Sequence, residues 1–403
     1  MNRIYEDIIY NNLLKYSQMV FLVGPRQVGK TTIAKKLQAR FSQSLYLNFD
    51  SVTDRQKIID GQSFIESIFP INILREAKPL VIFDEIHKYK DWKNYIKGFY
   101  DLYQDYYSII VTGSARLDVY QSGGDSLMGR YFQYNIHPLS VSELIEPKRE
   151  KISDYYFSPF ELESDLLSNL YKYGGFPDPF YNKNEQFFNM WQATRFKQLL
   201  HEEIMSIANL QEIYLLELLA EILKSQAGML LNRSNIGKKI GVTSQTVSRW
   251  LSILDRFYYC FTIRPWFKNV TRSLIKDPKV YLWDWSLVAD EGARVENFIA
   301  SHLLKFVHFY SDTGYGKFEL YYLRDIDKKE ADFLIVKDDK PFLIIEAKTS
   351  DMKLSSSIEH FKSQLNPDFS FQVVFNEKYI NRSCFDFKNT MVVPAATFLS
   401  QLV

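Results

Sequence analysis

The chain has 403 residues, 46% of them hydrophobic and 24% charged, with a formal net charge of +1. That length exceeds one ordinary core and implies two or three domains, while the near-neutral balance excludes a globally basic coat and leaves local patches as the only route to nucleic acid. Two cysteines, Cys260 and Cys384, exclude a disulfide framework and a four-cysteine zinc site. They fit a reducing compartment. Acidic residues interrupt the first stretch, MNRIYEDIIYNNLLK, where a secretory leader would be apolar, and no apolar run approaches a membrane span. A cytoplasmic protein without a membrane segment is the expectation.

Residues 1–148 alternate apolar runs with helical stretches. QMVFLVG (18–24), SLYLNFD (44–50), KPLVIFDEI (78–86) and YSIIVTGSA (107–115) read as strands, and KTTIAKKLQARF as a helix after the first of them. Strand and helix in alternation mean an α/β fold with a parallel sheet covered on both faces. Between the first strand and its helix, GPRQVGKTT (24–32) has the phosphate-loop spacing in the context that motif requires. Gly24, Pro25, Arg26, Gln27, Val28, Gly29, Lys30, Thr31 and Thr32 form the expected ATP-binding segment. Its glycines turn backbone N–H groups toward phosphate oxygens, aided by the helix N-terminus. Lys30 supplies a charge to the β- and γ-phosphates, and Thr31 a hydroxyl to Mg²⁺. Asp84 ends the third strand as the second Mg²⁺ contact, and Glu85 beside it is the candidate base for the attacking water. After the fourth strand, Ser114 or Thr112 stands where a polar group senses the γ-phosphate. Arg130, with Arg116 as competitor, is the candidate arginine finger, acting in its own chain or in a neighbouring copy of a homo-oligomer. For either arginine the competing reading is a pair with a surface carboxylate.

The strings QMVFLVGPRQVGKTT, LVIFDEIHK, IIVTGSA, SLMGRYFQYNIHPLSVSE and YGGFPDPF occur in that order. Together they resemble prokaryotic AAA+-like P-loop ATPases whose C-terminal half is a domain of unknown function. The resemblance covers nearly the whole chain. It implies ATP binding, with a winged helix and a restriction-endonuclease-like α/β domain following the ATPase core.

EPKRE (146–150) is a charged break, and residues 149–228 read as a helical lid or linker. GGFPDPF (174–180) interrupts it tightly. MWQATRFKQLLHEEIMSIANL (190–210) and YLLELLAEILKSQAG (214–228) have amphipathic spacing. Residues 229–290 form the expected winged helix-turn-helix. There Ile236, Ile240, Val247 and Leu251 point inward, Gly241 ends the first helix and Thr243 caps the second. Ser244, Gln245, Thr246, Ser248 and Arg249 then face outward where DNA-binding examples enter the major groove, with Lys238 and Lys239 placed for phosphates. A lid or protein-contact module is the competing reading, because the basic footprint is modest.

Residues 291–403 return to α/β. The order helix, three strands, helix, strand carries Glu296 on the first helix, Asp332 on the second strand, and Glu346 with Lys348 on the third, in PFLIIEAK. This is similar to the PD-(D/E)xK nuclease pattern, although EAD stands where Pro-Asp would be. Glu296, Asp332 and Glu346 would hold Mg²⁺ through oxygen, and Lys348, two residues on and hence on the same face as Glu346, would orient the nucleophile. Gln364 fits a polar position on the next helix. The alternative is a nuclease-like scaffold without chemistry, in a protein acting as an ATP-dependent switch. Among the histidines, His87 is expected in solvent and His201 on a solvated face with Glu202 and Glu203. Trp283 and Trp285 read as core.

Overall fold

The computed structural model describes residues 2–113, 127–144, 151, 153–205, 210–267 and 276–403. The chain divides into two compact units, Asn2–His137 and Pro138–Val403.

The first unit is a parallel sheet wrapped by helices. Its elements are α1 (Glu6–Lys15), β1 (Met19–Val23), α2 (Lys30–Gln38), β2 (Ser44–Asn48), α3 (Val52–Ile59), α4 (Gln62–Ile68), β3 (Leu80–Asp84), α5 (Trp92–Tyr103), β4 (Ser108–Thr112) and β5 (Tyr131–Asn135). The strand order is β2-β3-β4-β1-β5, and every neighbouring pair is parallel. MVFLV, LVIFD and SIIVT are buried along their whole length, as strands covered on both faces must be. Sequence patterning did not single out β5, because YFQYN is half polar and exposes one edge of the sheet. Phe21, Phe83, Phe99, Trp92 and Tyr107 fill one face. The chain leaves β1 toward the β2 edge and leaves the adjacent β4 toward the β5 edge, so the carboxyl ends of β1 and β4 meet at the switch point where α/β sheets place ligands.

The second unit begins with helices α6 (Ser164–Tyr173), α7 (Pro177–Asn182), α8 (Glu185–Gln198) and α9 (Leu210–Lys224). The amphipathic stretch expected over 190–210 is not one helix. It passes from α8 into a π-helical turn, Leu199–Ile204. His201 is exposed there beside Glu217, with 2.9 Å between Nε2 and Oε1, whereas Glu203 is buried rather than solvated. The GGFP stretch is a packing device. A Cβ on Gly175 would lie 2.5 Å from Trp285 Cη2 and 2.7 Å from the Leu139 carbonyl, so only glycine permits that approach.

Two short helices follow, α10 (Arg233–Ile240) and α11 (Ser244–Arg256), then β6 (Cys260–Pro265) and β7 (Lys279–Leu282). Next come α12 (Glu291–Asp312), β8 (Phe318–Arg324), β9 (Glu330–Lys337), β10 (Lys340–Lys348), α13 (Ser356–Leu365), β11 (Phe369–Val374), β12 (Met391–Pro394) and α14 (Ala395–Ser400). The seven strands form one mixed sheet in the order β12-β11-β10-β9-β8-β6-β7. β6 joins it by pairing Arg264 and Pro265 with Tyr321 and Tyr322 of β8. Hence the hairpin after the helix pair and the terminal strands share one sheet.

Helix α12 is the spine of this unit. Asp290 caps it by accepting from Ala293 N at 2.8 Å, and Phe298, Leu303, Phe306 and Tyr310 are buried along it. The segment after Pro138 is pinned to it by buried polar contacts. Lys305 Nζ donates to the Glu143 carboxylate and, at 2.9 Å, to Ser140 Oγ. His302 Nε2 accepts from Val141 N at 3.0 Å, and its other ring nitrogen lies 2.7 Å from the Phe298 carbonyl. Burial pushes the His302 pKa down to about 3, so the ring is neutral, with one nitrogen accepting and the other donating.

Candidate nucleotide site and carboxylate cluster

The loop from Gly24 to Gly29 leaves the end of β1 and delivers the chain into α2. Gly24 has φ 146°, and a Cβ there would lie 2.2 Å from the Ile136 carbonyl oxygen, which excludes any side chain. Gln27 also holds a positive φ of 65°. Gly29 stands at the N-cap of α2 with φ 95° and no side-chain cap, so the first-turn N–H groups of the helix stay available to an anion. Val28 is buried, Thr31 half-buried and Thr32 exposed. Lys30 is buried and donates from Nζ to Gly24 O at 2.9 Å and Pro25 O at 2.6 Å. Its ammonium therefore rests over the loop that would hold the phosphates.

Asp84, at the end of β3, is 2% exposed and lies across from that loop. Its carboxylate accepts from Thr31 Oγ1 at 3.0 Å, and from the hydroxyls of Tyr46 and Thr112. Thr31 and Asp84 thus adjoin as the two oxygen donors that Mg²⁺ bound to ATP requires, and the residues fit that ion. Burial first, then the hydrogen bond to Asp84, push the Tyr46 hydroxyl far above its ordinary pKa, so it stays a donor. The Thr112 hydroxyl is turned to Asp84.

Glu85 takes the left-handed conformation, φ 56°, which costs a non-glycine residue roughly 1–2 kcal/mol. Such strain is kept where the surroundings impose it. Its Oε2 lies 3.3 Å from Lys88 Nζ and 3.7 Å from His87 Nε2, and Lys88 also reaches Asp50 at 2.5 Å. His87, expected in solvent, is buried at 7% exposure because the short 3-10 turn Ile86–Lys88 folds it under the strand end. Arg130 stands apart from this site. It precedes β5, its carbonyl accepts from Met19 N at 2.9 Å, and its guanidinium pairs with Asp101 at 2.7 Å. That is the opposite end of β1 from the loop, on the order of 13 Å away at ~3.3 Å per residue. A finger acting within the same chain is therefore corrected to a surface ion pair. Ser114 and Arg116 lie outside the described residues.

Sequence reasoning missed three residues here. Arg3, 9% exposed, donates from one guanidinium nitrogen to Val28 O at 2.7 Å and from the other to His137 O at 2.6 Å, bracing the loop against the chain after β5. Tyr46 and Lys88 are the others. Arg3 and Tyr46 belong to no motif and gain their roles through partners 25 and 38 residues away, while Lys88 closes the string LVIFDEIHK and joins Glu85 to Asp50.

In the second unit the helix pair forms as expected. Ile236, Ile240, Val247 and Leu251 are buried. Gly241 ends α10 at φ 76°, and Thr243 caps α11 by accepting from Thr246 N at 3.1 Å. Lys238, Lys239, Ser244, Gln245 and Arg249 are exposed.

The carboxylate cluster assembles on β7, β9, β10 and α12. Asp332 Oδ2 accepts from Ala347 N at 2.9 Å, which sets it beside Glu346 on the next strand. Glu346 Oε1 accepts from Lys348 Nζ at 2.8 Å, confirming their shared face, and Oε2 is buried without a hydrogen-bond partner. Burial, then the neighbouring Asp332 charge, raise the pKa of Glu346; the same causes raise Glu296. Gln364 points elsewhere, to His360 at 3.1 Å. A residue the sequence did not mark stands among the acids. Lys279 Nζ lies 2.6 Å from Glu330 Oε1, 3.2 Å from Glu296 Oε1 and 3.5 Å from Asp332 Oδ1. Burial lowers the pKa of this ammonium, and Glu296, Asp332 and Glu330 outweigh burial, so it stays charged. Among the described residues no group of three or more His, Cys, Asp or Glu side chains is arranged to hold a metal ion. The cluster does not fit Mg²⁺.

No helix among the described residues is long and apolar enough to cross a membrane. The chain is 21% identical over 360 residues to uncharacterized proteins of Mycobacterium tuberculosis and Mycobacterium bovis, covering 86% of this chain and 74% of each relative. Among solved structures it is similar to a Walker-type ATPase of Pyrococcus abyssi (14% identity, 71% of this chain and 94% of that one, TM-score 0.42). It is also similar to AMPPCP-bound DnaA from Aquifex aeolicus (12% identity, 62% and 86%, TM-score 0.31). Residues 164–292 and 291–398 match two families described as Domain of unknown function (DUF8612) and Domain of unknown function (DUF4143). Residues 16–145, which carry the phosphate loop and Asp84, match the family described as AAA domain, so an AAA-type domain precedes the two stretches that match domains of unknown function.

Proposed function

We propose that this protein binds and hydrolyses ATP with Mg²⁺ and acts as an ATP-dependent switch on DNA, with the terminal domain as a non-catalytic scaffold. The observation that carries the ATPase reading is the contact between Thr31 and Asp84, 3.0 Å apart at the mouth of a glycine-formed loop. Residues 24–32 would take the phosphates. Lys30 would offset charge on the β- and γ-phosphates, and Thr31 with Asp84 would hold Mg²⁺, which neutralises charge developing on the phosphoryl oxygens. Glu85 would orient the attacking water once it leaves Lys88. The outward residues at the start of α11, Ser244, Gln245, Thr246, Ser248 and Arg249, would contact DNA, with Lys238 and Lys239 on phosphates.

Purified protein should turn over ATP, Lys30→Ala should abolish turnover, and Glu85→Gln should bind ATP without hydrolysing it. Equal turnover in wild type and Lys30→Ala would sink the assignment. For DNA, fluorescence anisotropy should show nucleotide-dependent binding that weakens with salt and on Arg249→Ala. Sedimentation with a non-hydrolysable ATP analogue tests whether copies assemble and Arg130 serves a neighbour.

The second reading is Mg²⁺-dependent endonuclease activity at Glu296, Asp332, Glu346 and Lys348, which requires a rearranged cluster in which Lys279 has left Glu296 and Asp332. It is favoured by the strand order and by Lys348 meeting Glu346 at 2.8 Å. DNA nicking by wild type that Glu346→Ala abolishes would establish it over the scaffold.

A further inference from the structure

The acids that would grip a divalent ion in a nuclease site are gripped here by the chain's own ammonium. Lys279 opens β7, and its side chain is only 4% exposed. It reaches three carboxylates on two other elements, Glu296 of α12 and Glu330 and Asp332 of β9, at 3.2, 2.6 and 3.5 Å. Two of the three belong to the set that the sequence order marks as metal ligands. An ammonium has three N–H donors, and three carboxylates lie 2.6–3.5 Å from this one. A divalent ion would need the same oxygens at roughly 2.0–2.6 Å, and its charge would face Lys279 in a buried setting where water screens little.

One further contact agrees. Tyr281, two residues along β7 and so on the same face, donates to Glu296 Oε1 at 2.7 Å. That oxygen already receives Lys279 and has little capacity left for a metal. Glu346, 6% exposed, keeps Oε2 buried with no hydrogen-bond partner at the rim of the cluster.

We propose that Lys279 is a resident replacement for the divalent ion of a nuclease-like site. It fills the position with one fixed charge, ties β7 to α12 and β9, and makes the hairpin after the helix pair one body with the terminal sheet. Glu296, Asp332 and Glu346 remain a latent divalent-ion site that opens when the ammonium is removed. The inference builds on the scaffold reading of the terminal domain, and it is tested by ion binding rather than by cleavage, so either can fail alone.

The test is Mn²⁺ binding to the full-length protein without nucleotide, followed by electron paramagnetic resonance of free Mn²⁺, with melting temperature as a second readout. Any ion at the phosphate loop is common to all variants. Wild type and Glu346→Gln should bind equal amounts. Lys279→Ala should bind one further Mn²⁺ per chain and gain thermal stability from it, and the added Asp332→Asn should remove both gains. Lys279→Gln, closer in volume, is the second variant should alanine not fold. A wild-type Mn²⁺ that Glu346→Gln removes would overturn the proposal. So would a folded Lys279→Ala that gains no ion. If neither lysine variant folds, the comparison of wild type with Glu346→Gln decides alone.

Discussion

Replacing Arg3 with alanine tests how the phosphate loop is held. The Arg3 guanidinium donates at 2.7 Å to Val28 O inside the loop and at 2.6 Å to His137 O beyond β5. Both are charge-assisted bonds to main-chain acceptors, and Val28 is fully buried. Alanine would strand both carbonyls at about 1–3 kcal/mol each, and because they share one donor the losses overlap, giving roughly 2–4 kcal/mol. For a unit of this size that lowers the melting temperature by about 10 °C. The functional effect follows from the same bond. With Val28 released, the loop must be ordered when ATP binds, and each ~1.4 kcal/mol of ordering weakens affinity tenfold. Arg3→Ala should therefore weaken ATP binding by about one order of magnitude, and Arg3→Lys, with one amine for two carbonyls, should fall between. Differential scanning fluorimetry and calorimetric titration with a non-hydrolysable ATP analogue read both effects. Arg3→Ala with a melting temperature within about 2 °C of wild type and unchanged affinity would refute the brace, since either loss alone exceeds that shift.

Tyr46→Phe removes one of three donors to Asp84. Stability without nucleotide should fall by about 1 kcal/mol, with a shifted Mg²⁺ dependence of ATP turnover. Lys305→Met takes the ammonium away from the buried Glu143 carboxylate, so it should cost roughly 3–5 kcal/mol by urea denaturation, while Lys305→Met with Glu143→Leu should recover most of that. Glu346→Gln tests the buried carboxyl by pH. Burial and Asp332 raise the Glu346 pKa to about 7, above its unfolded value. Its proton therefore stabilises the fold fully below the unfolded pKa, and that stability is lost as pH rises through the folded one. Relative to wild type, Glu346→Gln should gain roughly 1–3 kcal/mol between pH 4.5 and 7.5 and then level off. A flat difference would refute the burial argument.

The phosphate loop was legible because its chemistry is local. Gly24, Gly29, Lys30 and Thr31 sit within eight residues, and the apolar runs on either side name the strand and helix that hold them. Asp84 was legible as the polar end of a buried run, LVIFD. The helix pair at 233–256 was legible through its periodicity, Gly241 and the Thr243 cap. Arg130 was not, because its spacing after Gly129 says nothing about which end of the sheet it occupies. That depends on β5 running parallel to β1 with Met19 opposite Tyr131. His87 went wrong for a similar reason: a 3-10 turn reversed its direction.

The terminal domain shows the division most clearly. Sequence by itself determined that Glu346 and Lys348 share a face and that Asp332 lies on the preceding strand, because a strand alternates faces with a period of two and hairpin neighbours pair. It could not place Lys279. In KVYLW that residue reads as a charge at the head of an apolar run, 17 positions before Glu296 and 53 before Asp332. Only the pairing of β6 with β8 brings β7 into the terminal sheet and turns Lys279 toward α12 and β9. A cluster of acids has the same sequence whether an ion or an ammonium neutralises it. Which cation does so is set by long-range strand order, since the desolvated carboxylates must meet whatever positive charge the fold delivers to them.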